Sequence, residues 1–505
     1  MRGLWRRFKE GERGVVIVQL ALMAVLVMLM AAFAVDLGWF FLNASRIQRS
    51  ADASALGGVV YMPDQQAIGV DRAERVAAAN GYVDGDDGAT LTIVPQPDGK
   101  ANQLEVTISD EVPTFFLRVL GQSTQTISRT GRAEYLRPLP MGSPGGQFGN
   151  DGGDGIDCSP AAANPDPCFW ANIHGTFTNT GMGDAFSSFC RYGTGWGGSN
   201  NSNCPESNDH RGERGYLYSV GHTGGAFSVQ VQNINFERGG GNGVRAGDNY
   251  SWCAGVCDEG PTTRVRVYRP DPTPLSLEPT GLVCDQTYDP IDAPADQTVY
   301  PWMNVCTIGA PEPGPYTVEV KIVDDTNTIL DDAGLNRYSI RATGGATFSA
   351  LGDMAIFNNL SGVPTSFFLA KVDEAYAGRT LVVELFDPGD AQFGLSNEIF
   401  LVDPGSDSLK GAWTGGCRIS IRRNGQADFG PATTTPAGTQ CSIDATRPAN
   451  DYDGDWLRVE VDLPESYTCT DCWWKIRYEY NGSATDTTTW RAFIVGSPLR
   501  LVLGG

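Results

Sequence analysis

Cys469 and Cys472 bracket Thr470-Asp471, a spacing that serves redox, zinc or cross-linking chemistry. A redox pair needs a helix N-terminus to lower one thiol's pKa, yet Trp473-Trp474-Lys475-Ile476 follows, which reads as a strand. A zinc site needs a second pair, which Cys253 and Cys257 would have to supply. A structural disulfide is therefore the expectation. All 12 cysteines lie at or beyond Cys158, an even number in the distal part of the chain. Such usage fits an oxidising compartment. Nearest-neighbour pairing gives Cys158–Cys168, Cys190–Cys204, Cys253–Cys257, Cys284–Cys306, Cys417–Cys441 and Cys469–Cys472, among many connectivities that 12 cysteines allow.

Aspartates supply the other concentrated chemistry. Asp451, Asp453 and Asp455 alternate in NDYDGDW, Asp387 and Asp390 lie in FDPGDA, and Asp151, Asp154 and Asp157 lie in a Pro/Gly-rich stretch. Oxygen-rich loops suit calcium, which takes six to eight hard ligands. NDYDGDW lacks the spacing and terminal Glu of an EF-hand loop, so solvated turn aspartates are the plainer reading and calcium the alternative. The only histidines are His174, His210 and His222, all in Gly- or Asn-rich surroundings. No G-x-S-x-G elbow, H-E-x-x-H helix or P-loop is present. No catalytic or cofactor-binding residue is assigned, and the chain reads as a non-enzyme. Nine of the tryptophans, Trp170 to Trp490, lie in the strand-rich distal region. Exposed, they could stack on sugars; buried, they fill a core. Core is the expectation.

Positioning these residues takes more than one domain, since 505 residues exceed a single ordinary core. The net charge of −22 argues against nucleic acid, whose phosphates need clustered cations. The charge is also uneven. Arg2, Arg6, Arg7, Lys9 and Arg13 make residues 1–13 a basic head on an acidic body.

Gly14 to Val35 reads GVVIVQLALMAVLVMLMAAFAV, 22 residues with Gln19 alone strongly polar. As a helix it spans roughly 33 Å, enough for a bilayer core of about 30 Å. Cations precede it and Asp36 follows, which puts the N-terminus in the cytoplasm and the rest outside. Two processing readings compete with a retained anchor. Ala32-Phe33-Ala34 fits a secretory signal-peptidase pattern, but the apolar run is long and continues as helix. Cleavage after Gly14 in the prepilin manner wants an acidic residue where Gln19 stands. Beyond the bilayer, Leu37, Phe40, Phe41, Ala44, Ile47, Ala51, Ala55, Val59 and Met62 recur at three- and four-residue steps. They continue one amphipathic helix, whose stripe packs on its own downstream domain or on neighbouring subunits.

The basic start, the RGVVIVQLAL opening, AVDLG and RIQRSADASALGG (46–58) resemble the N-terminal region of TadG-like proteins of Tad (Flp) pilus assembly. The resemblance extends more loosely through VAAANGY (76–82), VPTFFLRVLG (112–121) and SRTGRAEY (128–135). It implies a single-pass, non-enzymatic protein of a tight-adherence machine. Some members carry a von Willebrand A domain with an Asp-x-Ser-x-Ser metal motif; Asp52-Ala53-Ser54 begins like one, but Leu56 takes the last place.

Residues 64–80 read as a second helix ending at Asn80-Gly81. TLTIV (90–94), QLEVTIS (103–109) and 123–136 read as strands, with a short helix from Pro113 to Leu120. Together with the spine helix they form an α/β platform at 36–136. Residues 137–167, with 6 Pro and 7 Gly, read as a linker. The remainder is all-β, as two tandem disulfide-bridged sandwiches at 168–345 and 346–505. Four strand matches suggest a duplication: 228–236 with 380–388, 262–270 with 417–425, 316–322 with 473–480, and 337–343 with 489–495. The fold class is thus a membrane-anchored α+β N-terminal region followed by all-β domains. The expected function is a pilus-assembly component in the cytoplasmic membrane, whose partners are the bilayer and pilus-assembly proteins. A surface adhesin binding cell-surface glycan or a host surface is the alternative.

Overall fold

The computed structural model describes residues 4–62, 65–149, 169–175, 183–185, 215–238, 248, 260–271, 279–292, 301–323, 334–362, 364–388, 394–404, 412–447, 449–450, 452–496 and 499–502. They fall into two units, residues 1–136 with 497–505, and residues 137–496. The second unit is therefore inserted in the chain of the first.

The chain begins with α1 (Leu4–Val59), α2 (Gln66–Ala79), β1 (Thr90–Pro95), β2 (Gln103–Pro113), a 3-10 turn (Leu117–Leu120) and β3 (Thr124–Tyr135). Next come β4 (Pro140–Met141), β5 (Gln147–Phe148), β6 (Phe169–His174), β7 (Tyr216–Gly221), β8 (Phe227–Gln232) and β9 (Glu237–Arg238). They are followed by β10 (Thr263–Tyr268), β11 (Leu282–Tyr288), β12 (Ile291–Asp292), β13 (Met303–Ile308), β14 (Tyr316–Ile322) and β15 (Leu335–Ala342). Then run β16 (Thr347–Leu351), β17 (Asp353–Ser361), β18 (Thr365–Lys371), β19 (Thr380–Phe386), β20 (Asn397–Val402) and β21 (Cys417–Arg422). The last are β22 (Thr433–Thr435), β23 (Ser442–Asp444), β24 (Trp456–Asp462), β25 (Trp473–Tyr480), β26 (Ser483–Ile494) and β27 (Leu499–Val502).

In the first unit, α1 is one helix of 56 residues, roughly 84 Å long. Its distal stripe, Ile47, Ala51, Ala55, Val59 and Met62, packs with Ala73 and Ala77 of α2 and with Leu104, Val106 and Ile108 of β2. The helix thus docks on its own downstream platform. The platform's sheet runs β1-β2-β3-β27, all antiparallel. Gly81 (φ +92°) ends α2 in the left-handed conformation that a Cβ disfavours.

The second unit is a double sheet. One sheet runs β11-β10-β14-β7-β16-β4-β18-β25-β20-β23 and the other β13-β8-β15-β6-β17-β26-β19-β24-β21-β22. Side chains of the two sheets meet in the core. The Tyr218 and Tyr338 hydroxyls lie 2.7 Å apart, and Phe367 packs on Trp490 at 5.3 Å.

The pairing order shows an internal duplication. Strand pairs β8·β13, β8·β15, β15·β6, β10·β11, β10·β14 and β14·β7 have counterparts β19·β24, β19·β26, β26·β17, β20·β23, β20·β25 and β25·β18. The correspondence keeps chain order, and the two halves meet at β6·β17 with mirrored strand sequences. Three of the four sequence matches agree with it. The fourth fails: 262–270 is β10, whose counterpart is β20, while 417–425 is β21 in the other sheet. Short alternating strands share a period of two and little else, so they match non-equivalents readily.

Three strand pairings cross the expected boundaries. The supposed linker at 137–167 begins inside the sheets: β4 pairs with β16 and β18, and β5 with β15. Leu139, Met141 and Phe148 are buried there, and a Cβ added at Gly149 (φ +75°) would lie 2.6 Å from Ala171 N. A Cβ at Gly142 or Gly146 would likewise meet Phe148 at 2.9 Å or the Ala346 carbonyl at 3.0 Å. The second sandwich starts at β17, since β16 pairs with β7 of the first. It also stops before 505, because β27 leaves it to extend the platform sheet at β3. A four-residue strand cannot declare its partner.

Candidate functional site

The chemistry of the first unit is concentrated on α1. Val16 to Val35 is almost wholly exposed, a continuous apolar surface long enough to cross a membrane. Gly14 lies within α1, and Gln19 is exposed on its surface.

One residue beyond the apolar run, Asp36 is buried, and its carboxylate accepts the backbone N–H groups of Phe115 (2.8 Å), Phe116 (3.0 Å) and Leu117 (2.7 Å). Burial alone would push this carboxyl up. The N–H donors of Leu117, Phe115 and Phe116 outweigh it and hold the pKa below the ordinary aspartate value. The three donors open the 3-10 turn, whose N–H groups have no partner within the turn. Trp39, one helical turn on, meets Phe115 edge-to-face at 5.4 Å. The sequence marks Asp36 only as the water edge of the apolar run. Its partners lie some 80 residues away, and no local pattern announces them.

Farther along, small residues let a strand lie on the helix. Ser50, Ala51, Ser54 and Ala55 are buried, and a Cβ on Gly131 of β3 would lie 2.6 Å from the Ala51 and Asp52 backbone. Gln48 Nε2 donates to the Thr130 carbonyl at 2.9 Å and to Asp52 Oδ1. The RIQRSADASALGG stretch is thus a backbone-to-backbone docking seat.

Among the described residues of the second unit the cysteines are cross-links. Cys284–Cys306, Cys417–Cys441 and Cys469–Cys472 are bonded. The first joins β11 to β13; the second joins β21 to the residue before β23. Because β11 and β23 are counterparts, each bond ties the same outer edge strand to the opposite sheet. Cys158, Cys168, Cys190, Cys204, Cys253 and Cys257 lie outside the described residues.

The described aspartates Asp387 and Asp455 lie in neighbouring loops, with the Asp387 N–H donating to the Asp455 carbonyl at 2.9 Å. Asp387 is buried and accepts Gly454 N–H at 2.6 Å; Asp455 is buried, accepts Asn424 N–H at 2.7 Å and pairs with Arg423. These carboxylate oxygens hold the loops together, so the two residues are buried rather than solvated turn aspartates. Asp453 is exposed, and Asp390 and Asp451 lie outside the described residues. Among the described residues no three His, Cys, Asp or Glu side chains form a metal site.

His222 Nε2 donates to the Glu312 and Gly314 carbonyls, and its Nδ1 accepts Gly224 N–H, a satisfied loop histidine. His174 is buried in β6, and burial pushes its pKa down to about 4, opposed by nearby Asp184. His210 lies outside the described residues. Of the tryptophans, Trp170, Trp456, Trp473, Trp474 and Trp490 are buried. Trp473 and Trp474 point to opposite sides, and Trp473 is covered by Phe368.

Residues 14–65 match the Tad family model, described as Flp pilus-assembly TadE/G-like. The matched stretch contains both the apolar span and the docking seat. No curated protein matches the chain. Among solved structures, the tandem CBM22-1–CBM22-2 domain of Xyn10C from Paenibacillus barcinonensis aligns at 8% identity over 79% of this chain and 91% of that one, with a TM-score of 0.12. A structure of infectious bursal disease virus, Gt strain, aligns at 12% identity over 57% and 79%, with a TM-score of 0.09. Likenesses this low carry no argument.

Proposed function

We propose that this protein is a non-enzymatic, membrane-anchored component of a Tad/Flp-type pilus-assembly or tight-adherence apparatus. The observation that carries the reading is the coincidence within residues 14–65 of the family match, the exposed apolar span and the seat that fixes it to the platform. The basic head argues for an N-terminus in the cytoplasm, a single pass through the cytoplasmic membrane, and double-sheet domains outside. Their disulfides suit that compartment. Helix continuity through Ala32–Ala34 argues for a retained anchor, since signal peptidase takes an extended segment. Its partners are then the bilayer and the assembly proteins of the pilus.

The test is capture of the full chain from gently solubilised membranes. Recovery of the Tad secretion ATPase or platform proteins supports the reading, and their consistent absence overturns it. Protease added to spheroplasts tests orientation: it should degrade the double-sheet unit and spare the N-terminal head.

A further inference from the structure

The apolar surface of the first unit does not end where α1 leaves the hydrocarbon. On the helix, Leu37, Phe41 and Leu42 remain exposed, Phe41 at 77%. Beside them the Asp36 carboxylate holds the 115–117 backbone, and that turn exposes Phe115 (49%), Phe116 (48%) and Val119 (82%) with Arg118. Two elements distant in sequence thus present apolar side chains at one level along the helix axis. From Val35 to Leu42 the rise is about 10 Å. The polar layer on each side of a bilayer core is about 5–8 Å thick. The exposed apolar band spans the whole of that layer and is continuous with the membrane span.

We propose that the 115–119 turn is a second membrane contact, a wedge lying in the interfacial layer of the bilayer that α1 crosses. Phe115, Phe116 and Val119 enter the boundary between headgroups and acyl chains, where aromatic and aliphatic side chains are favoured. Arg118 reaches lipid phosphate. Asp36 couples the wedge to the helix and fixes the platform's height and rotation at the surface, which a lone helix leaves free. This inference rests on α1 spanning the membrane.

The test reconstitutes the full chain in phosphatidylethanolamine–phosphatidylglycerol nanodiscs containing diazirine lipids, one set labelled on the acyl chain and one near the headgroup. After photolysis, labelled peptides are mapped by mass spectrometry. Val83, 48% exposed in the same unit, is the internal control. Labelling of both 16–35 and 115–119, the latter at least about tenfold above Val83, supports the wedge. Labelling of 16–35 with 115–119 no higher than Val83 overturns the wedge and leaves the anchor standing. Absence of label from both overturns the anchor and the wedge together. Cross-linking of 115–119 to a second copy of the chain in place of lipid overturns the wedge as well.

Discussion

The Asp36 carboxylate accepts the N–H of Leu117 at 2.7 Å across 81 residues of chain, one residue past the apolar run. The helix, docked farther along by its Ile47–Met62 stripe, is also bound at the end of its apolar run by an anionic cap on a turn. The same residue sets polarity in the sequence and position in the fold.

Asp36→Ala removes the acceptor of three backbone donors. Hydrogen exchange at Phe115, Phe116 and Leu117 should quicken by roughly tenfold or more, and Asp36→Asn should fall between. Because the folded pKa is depressed, this stabilisation is present above the ordinary aspartate value and disappears as pH falls through the folded one. Unchanged exchange in Asp36→Ala would mean that the turn is held by packing alone.

The contact between Gly131 and the Ala51–Asp52 backbone leaves no space for a side chain. Gly131→Val should lower stability by about 3 kcal/mol or more, since neither backbone can shift as a side chain can. Gly38 has nothing near its would-be Cβ, so Gly38→Ala should be neutral or stabilising by up to about 1 kcal/mol. Thermal unfolding of the full chain in detergent separates the two; equal effects would refute the docking seat.

Much of this arrangement was legible in sequence. Period alone identified α1 and its Ile47–Val59 stripe, because every fourth residue had to be small or apolar to lie on a platform. The exposed rungs Thr107–Thr130 and Ser109–Ser128 mark the polar face of the β2·β3 pair, as alternation foretells. What failed were statements about partners. Pro140–Met141 is read as linker because Pro and Gly dominate around it, yet a two-residue strand between β16 and β18 leaves no period. Leu499–Val502 could have ended any sheet. The Asp387–Asp455 loops resembled solvated turns because burial of a carboxylate depends on distant amides.

The two edge-strand disulfides should matter about equally. They close sequence separations of 22 and 24 residues, for which the chain-entropy account gives about 3 kcal/mol each. Cys469–Cys472 closes a separation of 3 and should contribute about half that. Serine replacement of each pair, read by thermal unfolding, ranks them. A Cys469–Cys472 effect equal to the others would locate its contribution in the native loop instead.

Asp455 holds Arg423, Asn424 N–H and, through its carbonyl, Asp387 N–H. Asp455→Asn weakens the charged contacts in a buried site and should cost about 1–3 kcal/mol. The loss should be the same in calcium and in chelator. A penalty that vanishes in chelator would restore the calcium reading for this loop.

Buried His174 and Asp248 impose opposite pH dependences on the second unit. Burial lowers His174 to about 4, against the opposing field of Asp184. The unfolded chain therefore binds the extra proton, and stability is lost as pH falls from about 6.5 to about 4. Burial raises Asp248 to about 7, while Arg337 and the N–H groups of Arg337 and Glu237 pull it down. Here the folded state keeps the proton, and stability is lost as pH rises from about 4 to about 7. The two effects oppose each other across that window. His174→Gln should leave the Asp248 slope, with stability falling as pH rises; Asp248→Asn should leave the His174 slope, with stability climbing. Thermal unfolding of both variants between pH 4 and 7 reads the two signs directly, and slopes of the same sign would refute the opposition.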